Sequence, residues 1–86
     1  MKIKYHKIFT NKFGKLKIKV REKAKERLII FFDDPFNERL NNHALQGKYI
    51  GFRSINISGD LRAIYKMINN DTVFFIDLDT HSNLYS

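Results

Sequence analysis

The sequence contains no cysteine, one proline and only four scattered glycines among its 86 residues. Without cysteine, neither disulfides nor thiolate metal ligands can hold the chain together, so its stability must come from packing. No glycine-rich phosphate loop and no Gly-x-Ser-x-Gly nucleophile elbow is present. The three histidines, at positions 6, 43 and 81, lack metal-ligand spacing such as His-x-x-x-His, so we expect neither a metal nor another cofactor.

The first residues also lack a continuous apolar run, because lysine recurs every few positions in MKIKYHKIFTNKF. This segment has the pattern of neither a signal peptide nor a membrane span. We therefore expect no membrane association and, by default, a cytoplasmic location. The lack of a disulfide framework fits a reducing compartment.

The net charge of +7 is concentrated in the first third of the chain. Residues 1–27 hold eleven Lys or Arg against two Glu, a net charge of +9, whereas residues 28–86 have a net charge of −2. Such a basic segment attracts polyanions, among which nucleic acid is the commonest partner. The alternative, of equal weight from charge alone, is a solvated lysine-rich helix that keeps a small protein soluble.

The apolar fraction of 43%, including eight Phe, is sufficient for one folded domain over residues 1–86. Lys2–Tyr5 alternate as a short strand would, and residues 6–14 form a candidate helix that ends at Gly14. From Leu16 the apolar residues recur every four positions, which predicts an amphipathic helix of about sixteen residues. Pro35 ends it. Residues 33–48 read as a long loop, with one possible helical turn around Glu38–Asn42.

Three strands follow, at residues 49–57, 61–68 and 72–79, joined by short turns at 58–60 and 69–71. Strict alternation in the last strand puts one set of side chains on each face, namely Phe74, Ile76 and Leu78 against Val73, Phe75, Asp77 and Asp79. Helices before strands predict an α+β fold, in which two helices pack on one face of an antiparallel sheet that ends in a three-stranded meander. The other sheet face is expected to stay open.

Polar side chains at the strand ends are candidates for a site on that open face. They are His43, Arg53, Asn56, Asp60, Arg62, Lys66, His81 and Tyr85. Taken singly, each has a structural explanation: His43 can bond backbone, Arg53 can span an apolar edge, and Asp60 is an ordinary turn residue. Asp77 and Asp79 could form a carboxylate pair, but we expect them to face solvent or a basic neighbour.

In combination, residues 40–85 resemble the RelE/ParE superfamily of bacterial type II toxins, and most closely its YafQ-type mRNA interferase branch. The pattern consists of His43, Leu45 and Gly47, then Gly51 and Arg53, then SGDLRAIY and THSNLY. The resemblance implies a RelE-like fold and a metal-independent endoribonuclease that cleaves mRNA, with dependence on the ribosome, and so inhibits translation and growth.

This sequence departs from the family pattern at two positions. They are Asn56, where YafQ-like toxins carry a histidine, and Asp79, where relatives commonly have glycine. Asp79 could raise the pKa of His81, or it could repel RNA.

The resemblance, together with the chemistry of the side chains, leads to a working hypothesis for the roles of individual residues. His81 is the general acid or base, with either His43 or Asp60 as its partner. Arg53 and Arg62 stabilise the phosphate, since a guanidinium is always charged and forked. Tyr85 lies near the position of a C-terminal tyrosine found in some relatives. The expected RNA-binding residues are Lys15, Lys17, Lys19, Arg21, Lys23, Lys25, Arg27 and Lys66, of which those on the lysine-rich helix contact ribosomal RNA.

The resemblance also implies partners and leaves two other functions open. The expected partners are a cognate antitoxin, mRNA and the ribosome, with operator DNA bound only through the antitoxin complex. One alternative is a ParE-type toxin that binds gyrase and has no nuclease activity. The other is a catalytically decayed relative that only binds its antitoxin. The departures at Asn56 and Asp79 are the reason to consider it.

Overall fold

The structure, a computed structural model, describes residues 1–85, with side chains as far as Leu84. Its elements are β1 (Lys2–Tyr5), α1 (Lys7–Gly14), α2 (Ile18–Asp33), β2 (His43–Ala44), β3 (Arg53–Ser58), β4 (Leu61–Asn69), β5 (Thr72–Thr80) and α3 (His81–Tyr85), with 3₁₀ turns at Glu38–Leu40 and Gly47–Tyr49. The predicted α+β class is confirmed. No helix in the described residues has the length and apolar character needed to cross a bilayer.

The five strands form one sheet in the order β1-β5-β4-β3-β2. Strands β3, β4 and β5 are the predicted antiparallel meander, and their turns are short. The expectation of a wholly antiparallel sheet is wrong, because β1 pairs parallel with β5 and Ile3 lies opposite Val73. The sheet is therefore mixed: the chain leaves β1 through two helices and returns to the strand beside it only at the end of the meander.

Both predicted helices form, and the local sequence explains where α1 begins and where α2 ends. The side chain of His6 accepts a hydrogen bond from the backbone N–H of Ile8 at 3.0 Å and so caps α1. Helix α2 spans 16 residues, which matches the predicted length of about sixteen. It ends where Asp34, the residue before Pro35, adopts extended backbone angles, because the proline ring disfavours helical geometry in its predecessor.

The main core lies between α1, α2 and one face of the sheet, which we call the helix face. Phe31 of α2 meets Tyr65 of β4 and Phe75 of β5 edge-on, with ring centroids 4.9 and 5.2 Å apart. Phe9 of α1 lies 5.5 Å from Phe75 in the same cluster. Such ring pairs add to the free energy gained by burying their area, so helices and sheet are locked together by aromatic packing.

The region between α2 and the meander contains structure that the sequence pattern did not indicate. The expected helical turn is confirmed at Glu38–Leu40, but the short edge strand β2 was missed, because two residues are too few to show a period. The predicted strand 49–57 starts too early, since β3 begins at Arg53. A 3₁₀ turn and Gly51, whose φ is +92°, occupy the residues before it.

The predicted alternation along β5 holds only for its first half. Tyr65 pairs with Phe75 but Ile64 pairs with Asp77, so Ile76 is an extra residue in a β-bulge. After the bulge the pattern inverts, and Leu78 joins Phe75 in the helix-face core instead of sharing a face with Ile76. The bulge thereby turns Asp77 and Asp79 away from the main core.

The opposite side of the sheet, which we call the second face, is partly covered. Leu84 of α3 packs there against Leu45 and Ile64 in a small cluster, which Phe52 and Ile76 border. The prediction that this face is open is thus wrong at its centre, because the C-terminal helix folds back over it. Polar side chains surround the cluster and remain accessible.

We expect Phe31→Ala to lower the free energy of unfolding by about 3–5 kcal/mol, because it removes a ring that is 0% exposed and opens a cavity. Phe32→Ala is the matched control: the same residue type in the same helix, 56% exposed, whose loss should cost about 0.5 kcal/mol or less. Urea denaturation followed by circular dichroism measures both. Equal losses in the two variants would contradict the proposed core.

Candidate active site

Three polar residues of neighbouring strands form a row on the second face. Asn56 of β3 lies directly opposite Arg62 of β4, and Arg62 lies directly opposite Asp79 of β5. Directly opposed residues in antiparallel strands share a face, with Cβ atoms about 5 Å apart. The sheet register therefore brings together residues that are up to 23 positions apart in the sequence.

His81 stands at one end of this row. It is the first residue of α3, its side chain is exposed, and its backbone N–H donates a hydrogen bond to the carbonyl oxygen of Asp60 at 2.8 Å. Asp60 is itself exposed in the turn between β3 and β4. His81, Asp60 and Arg62 thus gather at one corner of the sheet, as the sequence predicted for these three residues.

Two groups of this row have hydrogen-bonding capacity for a ligand. The guanidinium of Arg62 donates to the carbonyl oxygen of Gly59 at 3.0 Å, and no carboxylate of the described residues forms an ion pair with it. Its forked N–H groups suit a phosphate. The buried Oδ1 of Asn56 has no hydrogen-bond partner within the described part of the chain. Because Oδ1 only accepts, a ribose hydroxyl could satisfy it and an ionised phosphate oxygen could not. The amide cannot carry a proton as histidine does.

His43 also lies on the second face, but at the far edge of the sheet. It sits in β2 opposite Ser54, and three strand spacings, about 14 Å, separate β2 from β5. Its Nδ1 lies 2.8 Å from the carbonyl oxygen of Asn41. A carbonyl can only accept, so Nδ1 carries the hydrogen and the neutral ring presents a bare Nε2. That tautomer suits a proton acceptor.

Arg53 does not join the others, and the prediction that it reaches the open face is wrong. It lies opposite Tyr65, whose ring belongs to the helix-face core. Its Nε donates to Oδ1 of Asn42 at 2.8 Å, and its guanidinium lies 5.2 Å from the centre of the Phe36 ring. Alternation from Ile55 and Ile57 already put Arg53 on their face, which is the helix-covered one.

Two predicted site residues remain, Lys66 and Tyr85. Lys66 is exposed on the second face, 5.6 Å from the centre of the Phe52 ring. The side chain of Tyr85 falls outside the described part of the chain.

The basic residues of α2 and of the segment just before it divide into three groups. Lys15, Lys17 and Lys19 are exposed, and no ion pair with a described residue involves them. The second group pairs with glutamates of the same helix: Lys23 with Glu26 at 3.6 Å and Lys25 with Glu22 at 3.9 Å.

Arg21 and Arg27, the third group, are half-buried. Arg21 donates to the carbonyl oxygens of Gly14 and Leu16 and so ties the α1–α2 connection to α2. Among the predicted RNA contacts on this helix, only the first group is both exposed and without such an internal contact.

Asp77 and Asp79 meet a basic neighbour, as expected. Nζ of Lys12, on α1, lies 2.8 Å from Asp77 Oδ1 and 3.0 Å from Asp79 Oδ2. Asn83 donates to Asp79 Oδ1 at 2.9 Å. The hydrogen bond from Asn83, followed by those from Lys12 and the Thr80 N–H, holds the pKa of Asp79 below its usual 3.8 against the opposing effect of burial. The negative charge of Asp79 is therefore compensated within the protein.

Lys12 and Asn83 were not predicted as part of the site. Lys12 is 65 and 67 positions away from its two carboxylate partners, and no local pattern encodes such a contact. Asn83 lies inside the THSNLY motif, so its position was a usable signal. Among the residues that the structure describes, no three His, Asp or Glu side chains cluster as a metal ion would require.

An apolar groove of about 440 Å³ runs between α1 and α2. Its floor contains the aromatic residues of α1, and its rim contains Ile29, which is 70% exposed. The lining residues are Tyr5, Phe9, Thr10, Phe13, Lys25, Leu28 and Ile29. The groove and this exposed side chain form one contiguous apolar surface.

Comparison with known proteins yields one family and a set of similar structures. The profile of the family described as bacterial toxin of type II toxin-antitoxin system, YafQ, matches residues 1–86. Escherichia coli YafQ is 25% identical with a TM-score of 0.76, over 98% of this chain and 97% of that chain. No curated protein matches the chain.

Two further structures have the same fold. The toxin in the E. coli DinJ–YafQ toxin–antitoxin complex is 25% identical with a TM-score of 0.73, over 98% of this chain and 96% of that one. A YoeB/ParE toxin from Agrobacterium tumefaciens has a TM-score of 0.78 over 94% of this chain and 99% of that one. Its identity of 18% supports the fold alone.

We expect the stabilising effect of the Asp79 carboxylate to depend on pH. Because its pKa is lower in the folded state than in the unfolded one, the stabilisation is fully present above about pH 4 and disappears as the pH falls through the folded-state pKa. The difference in unfolding free energy between wild type and Asp79→Asn should therefore shrink between pH 5 and the folded-state pKa. Urea denaturation across this range measures it.

Asp33→Asn is the control for this experiment. It removes an exposed carboxylate that has no ion pair with a described residue, so it should differ little from wild type at any pH. An Asp79→Asn difference that stays constant down to pH 2 would contradict the hydrogen-bonded, ion-paired carboxylate.

Proposed function

This chain belongs to the YafQ family of bacterial type II toxin–antitoxin toxins, and we propose that it is a metal-independent endoribonuclease that cleaves mRNA at the ribosome. The observation that carries the proposal is the grouping of His81, Asp60 and Arg62 at one corner of the second face. A proton carrier, a carboxylate and an uncompensated guanidinium in one place are the groups that RNA cleavage requires.

The chemistry follows from what the RNA must do. The ribose 2′-hydroxyl loses a proton and attacks the adjacent phosphate, charge builds on the non-bridging oxygens, and the leaving 5′-oxygen takes up a proton. His81 transfers a proton at this phosphate, because imidazole exists in both protonation states near neutral pH. Arg62 stabilises the charge on the phosphate oxygens. Asp60, beside His81, is the nearer of its two candidate partners.

His43 is the other candidate partner. Its Nδ1 is engaged with the Asn41 carbonyl oxygen, which leaves Nε2 for a ligand, and it faces the same side of the sheet as His81. An RNA strand that crosses the second face from β5 to β2 would pass both rings. In this alternative His43 removes the proton of the 2′-hydroxyl and His81 protonates the leaving 5′-oxygen, so both rings must reach the same phosphate across the gap between β2 and β5. The position of Arg53 on the helix face speaks against its predicted part in phosphate stabilisation.

The exposed lysines serve a different surface. Lys15, Lys17 and Lys19 lie at and before the start of α2, which packs on the helix face, away from His81. We assign them to ribosomal RNA, whose phosphates they would neutralise with the salt dependence that such contacts produce. Lys66 is the one predicted RNA-binding lysine on the second face, and it is assigned to the mRNA itself.

A cognate antitoxin is the proposed protein partner, as DinJ is for YafQ in the similar E. coli complex. We place its contact in the groove between α1 and α2. The groove is apolar, Lys25 borders it, and the whole chain carries a net charge of +7. These properties fit an amphipathic, acidic antitoxin segment with apolar anchors.

We expect His81→Ala to slow mRNA cleavage by about 100-fold or more, because a positioned general acid or base contributes at least that factor. Expression without antitoxin should then no longer arrest growth, and transcript 5′ ends should lose the cuts seen with wild type. Ser82→Ala, which changes the adjacent exposed residue, should retain both effects. Antitoxin binding by His81→Ala verifies that the variant is folded.

Three results would contradict the assignment in different ways. Full toxicity and cleavage in His81→Ala would remove this residue from the mechanism. DNA damage by wild type without transcript cuts would indicate a gyrase-binding toxin instead of a nuclease. Harmless expression of the wild type together with tight antitoxin binding would indicate a decayed relative.

We expect Ile29→Asp to weaken antitoxin binding about 30-fold or more, because it places a charge on the rim of the apolar groove, where anchor residues typically contribute at least 2 kcal/mol. Ile18→Asp is the matched control, since Ile18 is 62% exposed on the same helix but outside the groove. Titration calorimetry with purified antitoxin measures both. Equal affinities in the two variants would exclude the groove as the contact.

A further inference from the structure

The carboxylate of Asp79 connects three elements at the C-terminal end of β5. Its Oδ2 lies 3.0 Å from Nζ of Lys12 on α1. Its Oδ1 accepts the backbone N–H of Thr80 at 2.8 Å and the side-chain amide of Asn83, on α3, at 2.9 Å. One oxygen is therefore directed to α1 and the other to α3.

Three further contacts of α3 involve the described residues. The Thr80 hydroxyl caps the helix by accepting the backbone N–H of Asn83 at 3.2 Å. The backbone N–H of His81 donates to Asp60, and Leu84 is buried in the second-face cluster. A helix of five residues cannot hold itself by backbone bonds alone. Its orientation depends on such tertiary contacts.

We infer that Asp79 is a positioning residue, which with Lys12 and Asn83 forms a clamp that fixes α3 and holds His81 at the corner beside Asp60. The inference rests on the proposed function, in which His81 transfers a proton to or from RNA. A proton carrier misplaced by about 1 Å loses much of its effect. The clamp therefore contributes to the rate of cleavage by holding His81 in place.

Asp77 shows which part of this network matters to His81. It also binds Lys12, at 2.8 Å, and it accepts the backbone N–H of Leu78 at 2.7 Å. No hydrogen bond joins it to a described residue of α3. Removing Asp77 thus weakens the attachment of α1 to β5 but leaves the contact between Asp79 and Asn83. Asp77 and Asp79 form a natural pair of test and control.

The experiment compares Asp79→Ala, Asn83→Ala, Asp79→Asn and Asp77→Ala in the free, full-length protein. Amide hydrogen exchange measures the order of α3 at His81 and Asn83, whose N–H groups are hydrogen-bonded. Kinetics on programmed ribosomes measure cleavage. Asp79→Ala and Asn83→Ala should exchange these amides about tenfold faster and lower kcat about 10- to 100-fold, with KM within about twofold.

The other two variants separate positioning from general stability. Asp79→Asn keeps an oxygen that can accept from Asn83, so it should retain most of the order and of kcat. Asp77→Ala should lower the unfolding free energy, yet leave the amide exchange of α3 and kcat unchanged. The double variant Asp79→Ala/Asn83→Ala should be no worse than Asp79→Ala, because the two residues act through one contact.

The outcomes distinguish this inference from the proposed function. Failure of the wild type to cleave RNA overturns the nuclease, whereas the exchange data still decide whether the clamp exists. Exchange at His81 and Asn83 that is alike in Asp79→Ala and Asp77→Ala overturns the clamp. Faster exchange in Asp79→Ala with unchanged kcat overturns the positioning role.

Discussion

The packing of aromatic rings around Phe75 is the interaction on which the rest of the structure depends. In a chain without cysteine, no covalent link joins the helices to the sheet. Rings from β1, α1, α2 and β4 instead meet Phe75 at centroid distances between 5.2 and 6.0 Å. Strands β1 and β4 and helices α1 and α2 are thus anchored to one buried side chain. The free energy of that burial stabilises a domain of only 86 residues.

The bulge at Ile76 lets one strand, β5, contribute both to the core and to the candidate site. Without the bulge, strict alternation would put Asp77 and Asp79 on the face of Phe75 and place two carboxylates in an apolar core, at great cost. With it, Leu78 fills the core and the carboxylates turn to the second face, where Lys12 neutralises them. A single irregularity in the pairing of β4 and β5 therefore separates the core-forming half of β5 from the half that leads to His81.

The sequence allowed most of the fold to be predicted and only part of the site. Helix α2 and the meander follow from periodicity, because long elements repeat their pattern several times. Strand β2 and the β5 bulge could not be predicted, since one is too short for a period and the other is a departure from it. Among the site residues, the gathering of His81, Asp60 and Arg62 was anticipated, whereas Arg53 was placed on the wrong side of the molecule.

Sequence alone determined the class of fold, the location of the positive charge and the types of side chain available for proton transfer. Those properties depend on composition and on neighbours along the chain. Tertiary structure decided which side chains share a face, the partner of each carboxylate and the orientation of α3. Those depend on strand register and on contacts such as that of Lys12 with Asp79, across 67 positions, which no local pattern encodes.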